Sequence, residues 1–276
     1  MELGVAIFAT DVSIRPDVVA RAAEEHGFAS LWVPEHTHLP VDHASAPGGR
    51  DLPEEYRRTL DPFVSLTAAA AATEHIRLGT AICLVAQRDP FVTAKAVASL
   101  DHLSGGRFEF GVGYGWVRPE IEHHGVAFGE RRDVLRDRIL AMRALWTEEE
   151  ASHDGEHVSF SASWAWPKPL QRPHPPILIG AGLGPRTRSH LVEFADGWMP
   201  VGRRTADPGV DDFRAATQEA GRDLSMHVLS ARPDPGELEH LAGLGADRAV
   251  FWLPSAEEEI VLERLDELAA LLDVVG

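Results

Sequence analysis

The chain has 276 residues, 44 % of them apolar and 25 % charged, which suits a soluble globular protein with a sizeable buried core. Its net charge of −17 argues against the basic face that nucleic-acid binding requires, and it leaves an anionic ligand to be held by helix N-termini and individual arginines. One cysteine, Cys83, excludes an intrachain disulfide and a cysteine-based zinc site; with no basic leader and no apolar run of about 18 residues, a cytoplasmic protein without membrane contact is expected.

Leu3-Gly4-Val5-Ala6-Ile7-Phe8-Ala9 is a continuous apolar run of strand length, as expected of a parallel strand covered by helices on both faces. Residues 16–26 then show helical spacing, with Pro16 in the first turn and Gly27 just past the end. Ala29-Ser30-Leu31-Trp32-Val33 is a second strand, stopped by Pro34. This β-α-β unit recurs behind a shared punctuation mark. Asp61-Pro62, Asp89-Pro90, Asp207-Pro208 and Asp234-Pro235 each pair an N-cap carboxylate with a preset φ at the first helical position. They predict helices near 62–73, 90–103, 208–220 and 235–244. Gly184-Pro185 opens another near 185–195, and Ser255-x-x-Glu258 reads as a capping box for a last helix over 256–272. Strand candidates between them are Ile76–Leu84, Arg107–Gly111, Pro176–Ile179, Gly197–Pro200, Leu224–Ser230 and Arg248–Leu253. Eight strands alternating with helices over residues 1–276 predict a single TIM-type (β/α)8 barrel domain.

Two segments exceed simple connections. Residues 35–60 follow strand two, and residues 117–175 follow strand four; the latter holds a helix near 130–147 and an extended stretch with Gly155, Val158 and Phe160. Trp164-Ala165-Trp166-Pro167-Lys168-Pro169 closes the second insertion and suggests an ordered lid. Both insertions leave from C-terminal strand ends, where barrels build their active sites. Trp164, Trp166 and His43 are expected around an aromatic, apolar substrate pocket.

The last residues of the predicted strands outline the site: Ala9 and Thr10; Glu35 and His36; Ala81, Ile82 and Cys83; Gly113, Tyr114, Gly115 and Trp116; Gly180, Ala181 and Gly182; Pro200; Ser230; Trp252. The set is apolar and glycine-rich, a profile that suits a flat aromatic cofactor better than a hydrolytic centre. Gly111-Val112-Gly113-Tyr114-Gly115-Trp116 admits a close ligand approach or a plain strand exit. It differs from a dinucleotide fingerprint because the third glycine comes one position early. Ile179-Gly180-Ala181-Gly182-Leu183-Gly184-Pro185-Arg186 is a phosphate cradle at a helix N-terminus, with Arg186 and Arg188 as countercharge, or an ordinary βα turn. Glu35-His36-Thr37-His38 reads as a proton-transfer or substrate-orienting histidine, a metal pair, or a solvated loop. Because later strand ends bring no matching ligands, no metal is assigned. His123-His124 reads as structural or surface-bound, and Cys83 as a small buried apolar side chain.

Leu31-Trp32-Val33-x-Glu35-His36, Leu78-Gly79-Thr80, Asp89-Pro90, Leu103-Ser104-Gly105-Gly106-Arg107, Gly111-Val112-Gly113-x-Gly115-Trp116 and Ala195-Asp196-Gly197-Trp198 together resemble the bacterial luciferase-like flavin and deazaflavin oxidoreductases. The resemblance covers most of the chain and is nearest the branch that uses the deazaflavin coenzyme F420. It implies a hydride-transferring oxidoreductase acting on a small-molecule substrate. The alternatives are an FMN-dependent monooxygenase fed by a reductase partner, and a catalytically silent flavin-binding barrel. It also implies a homodimer. The coenzyme ring would be backed by a bulge after strand three, near a non-proline cis peptide at Ala81-Ile82. Gly113 to Gly115 would line the coenzyme's chain and Gly180 to Gly182 its phosphate. His36 would orient substrate or move a proton, and Glu35 would hold the coenzyme or orient His36. The chain departs from the family's sugar-phosphate dehydrogenases, which carry a glutamate directly after the glycine loop where this chain has Trp116; Glu120 is not in register with it.

Overall fold

Eight parallel strands close into a barrel ringed by helices, a TIM-type fold, in a computed structural model that describes residues 1–41 and 51–275. The strands in chain order are β1 (Glu2–Ala6), β2 (Ser30–Val33), β3 (Arg77–Thr80), β4 (Phe108–Val112), β5 (Ala151–Asp154), β6 (Ser159–Ser163), β7 (Ile177–Ile179), β8 (Gly197–Trp198), β9 (Ser225–Leu229) and β10 (Arg248–Trp252). β5 and β6 form a separate antiparallel hairpin, and the other eight close the barrel in the order β1-β10-β9-β8-β7-β4-β3-β2. The helices are α1 (Pro16–Glu25), α2 (Pro62–Ala72), α3 (Pro90–Leu103), α4 (Arg118–His123), α5 (Arg131–Thr147), α6 (Pro185–Glu193), α7 (Arg203–Ala220), α8 (Pro235–Leu244), α9 (Glu258–Ala269) and α10 (Leu272–Val275).

β2 and β4 are buried along their whole length, because helices cover the outside and side chains fill the inside. Trp32, Trp146, Trp198, Phe108, Phe110 and Phe251 are almost completely enclosed, each contributing roughly 2–3 kcal/mol of apolar burial. Three Asp-Pro pairs act as expected. Asp61 accepts from Phe63 and Val64 N–H, Asp89 from Val92 N–H, and Asp234 from Glu237 N–H, at 2.9–3.0 Å. Each such cap is worth about 1 kcal/mol.

The fourth pair departs from expectation. α7 starts at Arg203, so Pro208 lies one turn inside the helix, and the Asp207 carboxylate binds Arg203 Nε and His240 Nε2 instead. There the proline removes only the bond to the Arg204 carbonyl, a loss the helix tolerates. The capping box at Ser255 is also absent: its hydroxyl donates to the Phe8 carbonyl at 2.8 Å, and α9 opens at Glu258. Strands run shorter than their apolar runs at β1, β3 and β8. Beyond Thr80 the apolar residues leave the sheet and turn into the barrel mouth.

The Leu103 to Arg107 motif has a structural reason. Gly105 and Gly106 adopt φ of 67° and 81°, which aims Arg107 at the end of α2. Its guanidinium donates to the carbonyls of Ala70, Thr73, Ile76 and Ser104 and to Thr73 Oγ1. One side chain thereby satisfies a helix C-terminus that lacks a glycine cap. At the N-terminal end of the barrel, Arg248 joins Glu109 (2.9 Å) and Glu2 (2.6 Å), with His227 Nδ1 3.6 Å from Glu109. This layer ties β1, β4, β9 and β10 together.

Burial pushes the His190 imidazole from its ordinary 6.5 down to about 4, and burial followed by the Arg248 charge lowers His227 as well. Both rings stay neutral in the folded chain at pH values where the unfolded chain has begun to bind protons. Stability should therefore fall as pH drops from about 6.5 towards 4. Urea midpoints measured from about pH 7 to about pH 4.5 should decline, and decline less steeply in His190→Gln. Identical slopes for the two proteins would show that His190 titrates freely.

Candidate active site

The mouth is shaped by the chain leaving β3. Ala81-Ile82 is a cis peptide, and the segment that follows is pinned from three sides. Cys83 N–H donates to the Gly111 carbonyl at 2.8 Å, and Gly113 N–H to the Cys83 carbonyl at 3.1 Å, so pairing with the β4 segment resumes past the bulge. The Glu35 carboxylate accepts from Leu84 N–H at 2.7 Å and from Arg88 Nε at 2.5 Å, and Arg88 also reaches Asp61 at 2.6 Å. Arg138, from α5, donates to the carbonyls of Val85, Ala86 and Arg88.

Ile82 explains the glycines on either side. A Cβ at Gly113 would stand 1.6 Å from Ile82 Cδ1, and one at Gly180 would stand 2.5 Å from Ile82 Cγ2. Gly115, at φ 72°, turns the loop in the left-handed region, where a Cβ would meet Ile121 at 2.9 Å. These glycines therefore make room for protein side chains that build the floor.

Above the floor lies a cavity of about 560 Å³, within the ~300–1,000 Å³ range of small-molecule sites. Phe8, Tyr56, Trp116 and Trp252 give it aromatic walls, and Ala81, Ile82 and Gly180 give it a flat apolar base. Phe8 stacks on Trp252 with ring centroids 5.1 Å apart and meets Tyr56 at 4.5 Å. Trp252 Nε1 donates to Ser230 Oγ at 2.7 Å, and Ser230 takes φ 58°, unusual for a non-glycine residue.

His36 is the cavity's imidazole. Its Nδ1 lies 3.0 Å from Glu120 Oε2, with side chains 7 % and 1 % exposed. Against a carboxylate, Nδ1 is the donor, and in the neutral ring Nε2 then carries the lone pair. Glu120 Oε1 is buried with no hydrogen-bond partner among the described residues, where the His36 bond is the main satisfaction of that carboxylate. The ring is flanked by Tyr56 (5.4 Å) and Trp116 (6.1 Å), and Thr59 Oγ1 holds the His36 carbonyl at 2.8 Å.

Of the residues expected at the site, Glu35, His36, Ala81, Ile82, Trp116 and Gly180 line this cavity. Cys83, Gly113, Tyr114, Gly115, Ala181 and Gly182 do not. Cys83 is fully buried beneath the bulge, where burial and then the Glu35 charge push its thiol pKa well up. Tyr114 turns outward to His190 Nδ1 at 2.9 Å, and the Ala181 carbonyl accepts from Trp198 Nε1 at 2.8 Å. The task of orienting His36 falls to Glu120, because the Glu35 carboxylate is taken up by Leu84 and Arg88. The arginines read as phosphate countercharge are also committed: Arg186 pairs with Asp133 at 2.7 Å and Arg188 with Glu219 at 2.6 Å.

The Trp164–Pro169 end of the second insertion does not form a lid on the cavity. Trp164 (74 % exposed) flanks a separate cleft with Phe91, Lys95 and Trp146, and Trp166 (54 % exposed) sits beside it, its carbonyl accepting from Lys95. His43 lies outside the described residues. Tyr56, from the first insertion, supplies the cover instead, and nothing in its sequence surroundings pointed to it. The paired histidines at 123–124 meet the first insertion: His38 Nε2 lies 2.9 Å from His123 Nδ1, and Thr37 Oγ1 lies 2.8 Å from His124 Nε2. Burial, then the His38 charge, lowers the His124 pKa. Among the described residues no group of three or more His, Cys, Asp or Glu side chains is arranged to hold a metal ion, and no helix is long and apolar enough to cross a membrane.

Comparison with known proteins matches residues 18–236 to the luciferase-like monooxygenase family profile. An uncharacterized protein of Mycobacterium tuberculosis (strain H37Rv) is 44 % identical over 99 % of both chains. An F420-dependent hydroxymycolic acid dehydrogenase of the same organism is 28 % identical over 80 % of this chain and 59 % of its own. An FMNH2-dependent dimethylsulfone monooxygenase of Pseudomonas putida is 31 % identical over 58 % of this chain and 45 % of its own. Among solved structures, the monooxygenase RslO1 of Streptomyces bottropensis superposes with a TM-score of 0.81 at 21 % identity over 98 % of both chains. An F420-dependent secondary alcohol dehydrogenase superposes at 0.78 and 19 % identity over the whole of both. These two structures share the fold.

The fit of Ile82 between two glycines is testable by a double-mutant cycle. Gly113→Ala should destabilise the fold by about 1–3 kcal/mol through overpacking, and the loss should shrink when Ile82→Ala is added. Strictly additive losses in urea unfolding would refute the contact.

Proposed function

The chain belongs to the luciferase-like monooxygenase family, and on that premise we propose that it is an oxidoreductase transferring a hydride between the deazaflavin coenzyme F420 and a small organic substrate. The observation that carries this reading is the pairing of a flat, apolar, aromatic-walled cavity with one carboxylate-held imidazole at its rim. A cavity of that kind fits a planar ring system. Similarity to the F420-dependent hydroxymycolic acid dehydrogenase across 80 % of the chain favours deazaflavin over flavin.

When bound, the coenzyme supplies the hydride chemistry. The chain supplies position, desolvation and a proton site. Ala81 and Ile82 would back the ring, with Gly180 making room for Ile82, and Trp116, Tyr56 and Trp252 would exclude water. Gly113 to Gly115 and Gly180 to Gly182 keep a supporting role for the coenzyme's chain and phosphate: the first group seats Ile82, and the second leads into the N-terminus of α6. Cys83 and Tyr114 act from behind the cavity wall. His36, its Nδ1 fixed by Glu120, presents Nε2 to take the proton from a substrate hydroxyl or return one to a carbonyl. Glu35 serves by holding the bulge. We read residues 1–276 as one barrel domain acting in the cytoplasm.

The second reading is an FMN-dependent monooxygenase fed reduced flavin by a partner reductase. The dimethylsulfone monooxygenase relative and the fit to RslO1 speak for it. Tryptophan-fluorescence titration should show saturable quenching by coenzyme F420 and little by FMN. With a panel of alcohols and carbonyl compounds, turnover should persist without oxygen, and His36→Ala should lower it about 10²–10⁴-fold while coenzyme binding stays intact. Preference for FMN with an oxygen requirement selects the monooxygenase. Binding without turnover, and no effect of His36→Ala, selects a silent flavin-binding barrel.

A homodimer is part of the proposal. An outward groove between α2 and α3 is apolar, lined by Val64, Ala68, Ala71, Ala96 and Leu103, with Val64 and Leu103 70 % and 64 % exposed. Light scattering at micromolar concentration should give a dimer that Val64→Lys with Leu103→Lys dissociates. A wild-type monomer would sink the dimer.

A further inference from the structure

The aromatic residues of the main cavity form one connected surface. Phe8 stacks on Trp252 with planes 27° apart, Tyr56 meets Phe8 at 4.5 Å, and Trp116 stands edge-on to Tyr56 at 6.4 Å. The four rings come from distant parts of the chain: just past β1, the first insertion, the loop after β4, and the end of β10. Core aromatics such as Trp32 and Trp198 are fully enclosed, whereas all four of these rings are only part-buried and line an open space. Aromatic faces left unpacked in this way mark a surface that a ligand completes.

Charge narrows the ligand further. Among the described residues no lysine or arginine lines this cavity. Its two carboxylates are Glu35, held by Leu84 N–H and Arg88, and Glu55, from the short turn of helix that carries Tyr56. An anion here would give up its hydration without a countercharge and would meet Glu55. A cation would give up its hydration for a carboxylate that stays part-exposed, where an ion pair contributes little. An uncharged molecule meets neither cost.

The wall is also held in place before anything binds. Trp252 Nε1 donates to Ser230 Oγ at 2.7 Å, and Ser230 keeps a left-handed φ of 58° that disfavours any residue with a side chain. Ser255 Oγ fixes the other ring of the stack through the Phe8 carbonyl at 2.8 Å. Rings fixed in this way lose little freedom when a flat partner settles on them.

We propose that the substrate is an uncharged molecule built on a planar ring, which stacks against the Phe8–Trp252–Tyr56 surface and turns its alcohol or carbonyl oxygen to His36. The proposal rests on reading this cavity as an oxidoreductase site. Phe8 and Trp252 set the specificity, and Ser230 and Ser255 position them.

Three probes sharing one naphthalene ring test it by calorimetric titration of the full chain: 1-(2-naphthyl)ethanol, 2-naphthoate and 2-naphthylmethylammonium. The alcohol should bind saturably and about tenfold or more tighter than either ion. Trp252→Leu and, separately, Phe8→Leu should weaken it about three- to tenfold, with circular dichroism and melting temperature showing that each variant folds. No binding of the alcohol, an ion binding as tightly, or unchanged affinity in both folded variants overturns the proposal. Turnover separates this result from the coenzyme reading. If the alcohol binds in the expected pattern but no alcohol or carbonyl compound turns over with coenzyme F420, the aromatic surface stands and the hydride-transfer reading falls. If a sugar phosphate turns over with coenzyme F420 while the naphthyl alcohol does not bind, hydride transfer stands and the substrate class is overturned.

Discussion

Ile82, seated between Gly113 and Gly180, is the contact on which the mouth of this barrel depends. β3 stops at Thr80, and the chain must turn out of the sheet while its neighbour β4, and β7 beyond it, carry on to the mouth. The turning chain is bulky, so the adjoining strand ends can carry no side chain where Ile82 passes; a Cβ at Gly113 would lie 1.6 Å from it. Glu35, itself held by Arg88, and Arg138 then satisfy N–H and carbonyl groups of a segment that has left its hydrogen-bonding partners. The result is a level apolar base at the point where a barrel usually places its chemistry.

The two ends of the barrel divide charge between them. At the N-terminal end, Glu2, Glu109 and Arg248 form a closed ionic layer with a neutral His227 beside it, and each charge has an opposite partner within hydrogen-bond reach. At the C-terminal end the cavity wall is aromatic, and ionisable groups are few. Among them is the His36–Glu120 pair, in which one carboxylate oxygen has no partner among the described residues. A half-satisfied buried carboxylate costs on the order of 1–3 kcal/mol or more, a cost that an arrangement serving stability alone would not carry. The same low-polarity surroundings strengthen the hold of Glu120 on Nδ1.

α7 starts unusually for a helix: its first turn supplies arginines where acidic residues would suit the dipole better. Pro208 is tolerated inside this helix, and the Asp207 that precedes it is released from capping to anchor Arg203.

The sequence alone carried the architecture. Eight apolar runs separated by helical stretches, with Asp-Pro at helix starts, are local signals, and local hydrogen bonds and burial on both faces make them legible. It also singled out His36, Ala81, Ile82 and Trp116, because strand ends of a parallel barrel converge on one mouth; the bulge at Ala81-Ile82 was implied by the family resemblance. Only the tertiary structure decided the partners. Glu35 and Glu120 are both carboxylates near His36 in a plausible site, yet which one reaches the ring depends on how α4 packs over the mouth, 84 positions later in the chain. The glycines looked as if they faced a ligand, whereas two of them face Ile82; glycine marks a close approach without naming what approaches. Trp164 and Trp166 were placed by composition and Tyr56 was passed over, because aromatic side chains carry no local mark of which cavity they will line.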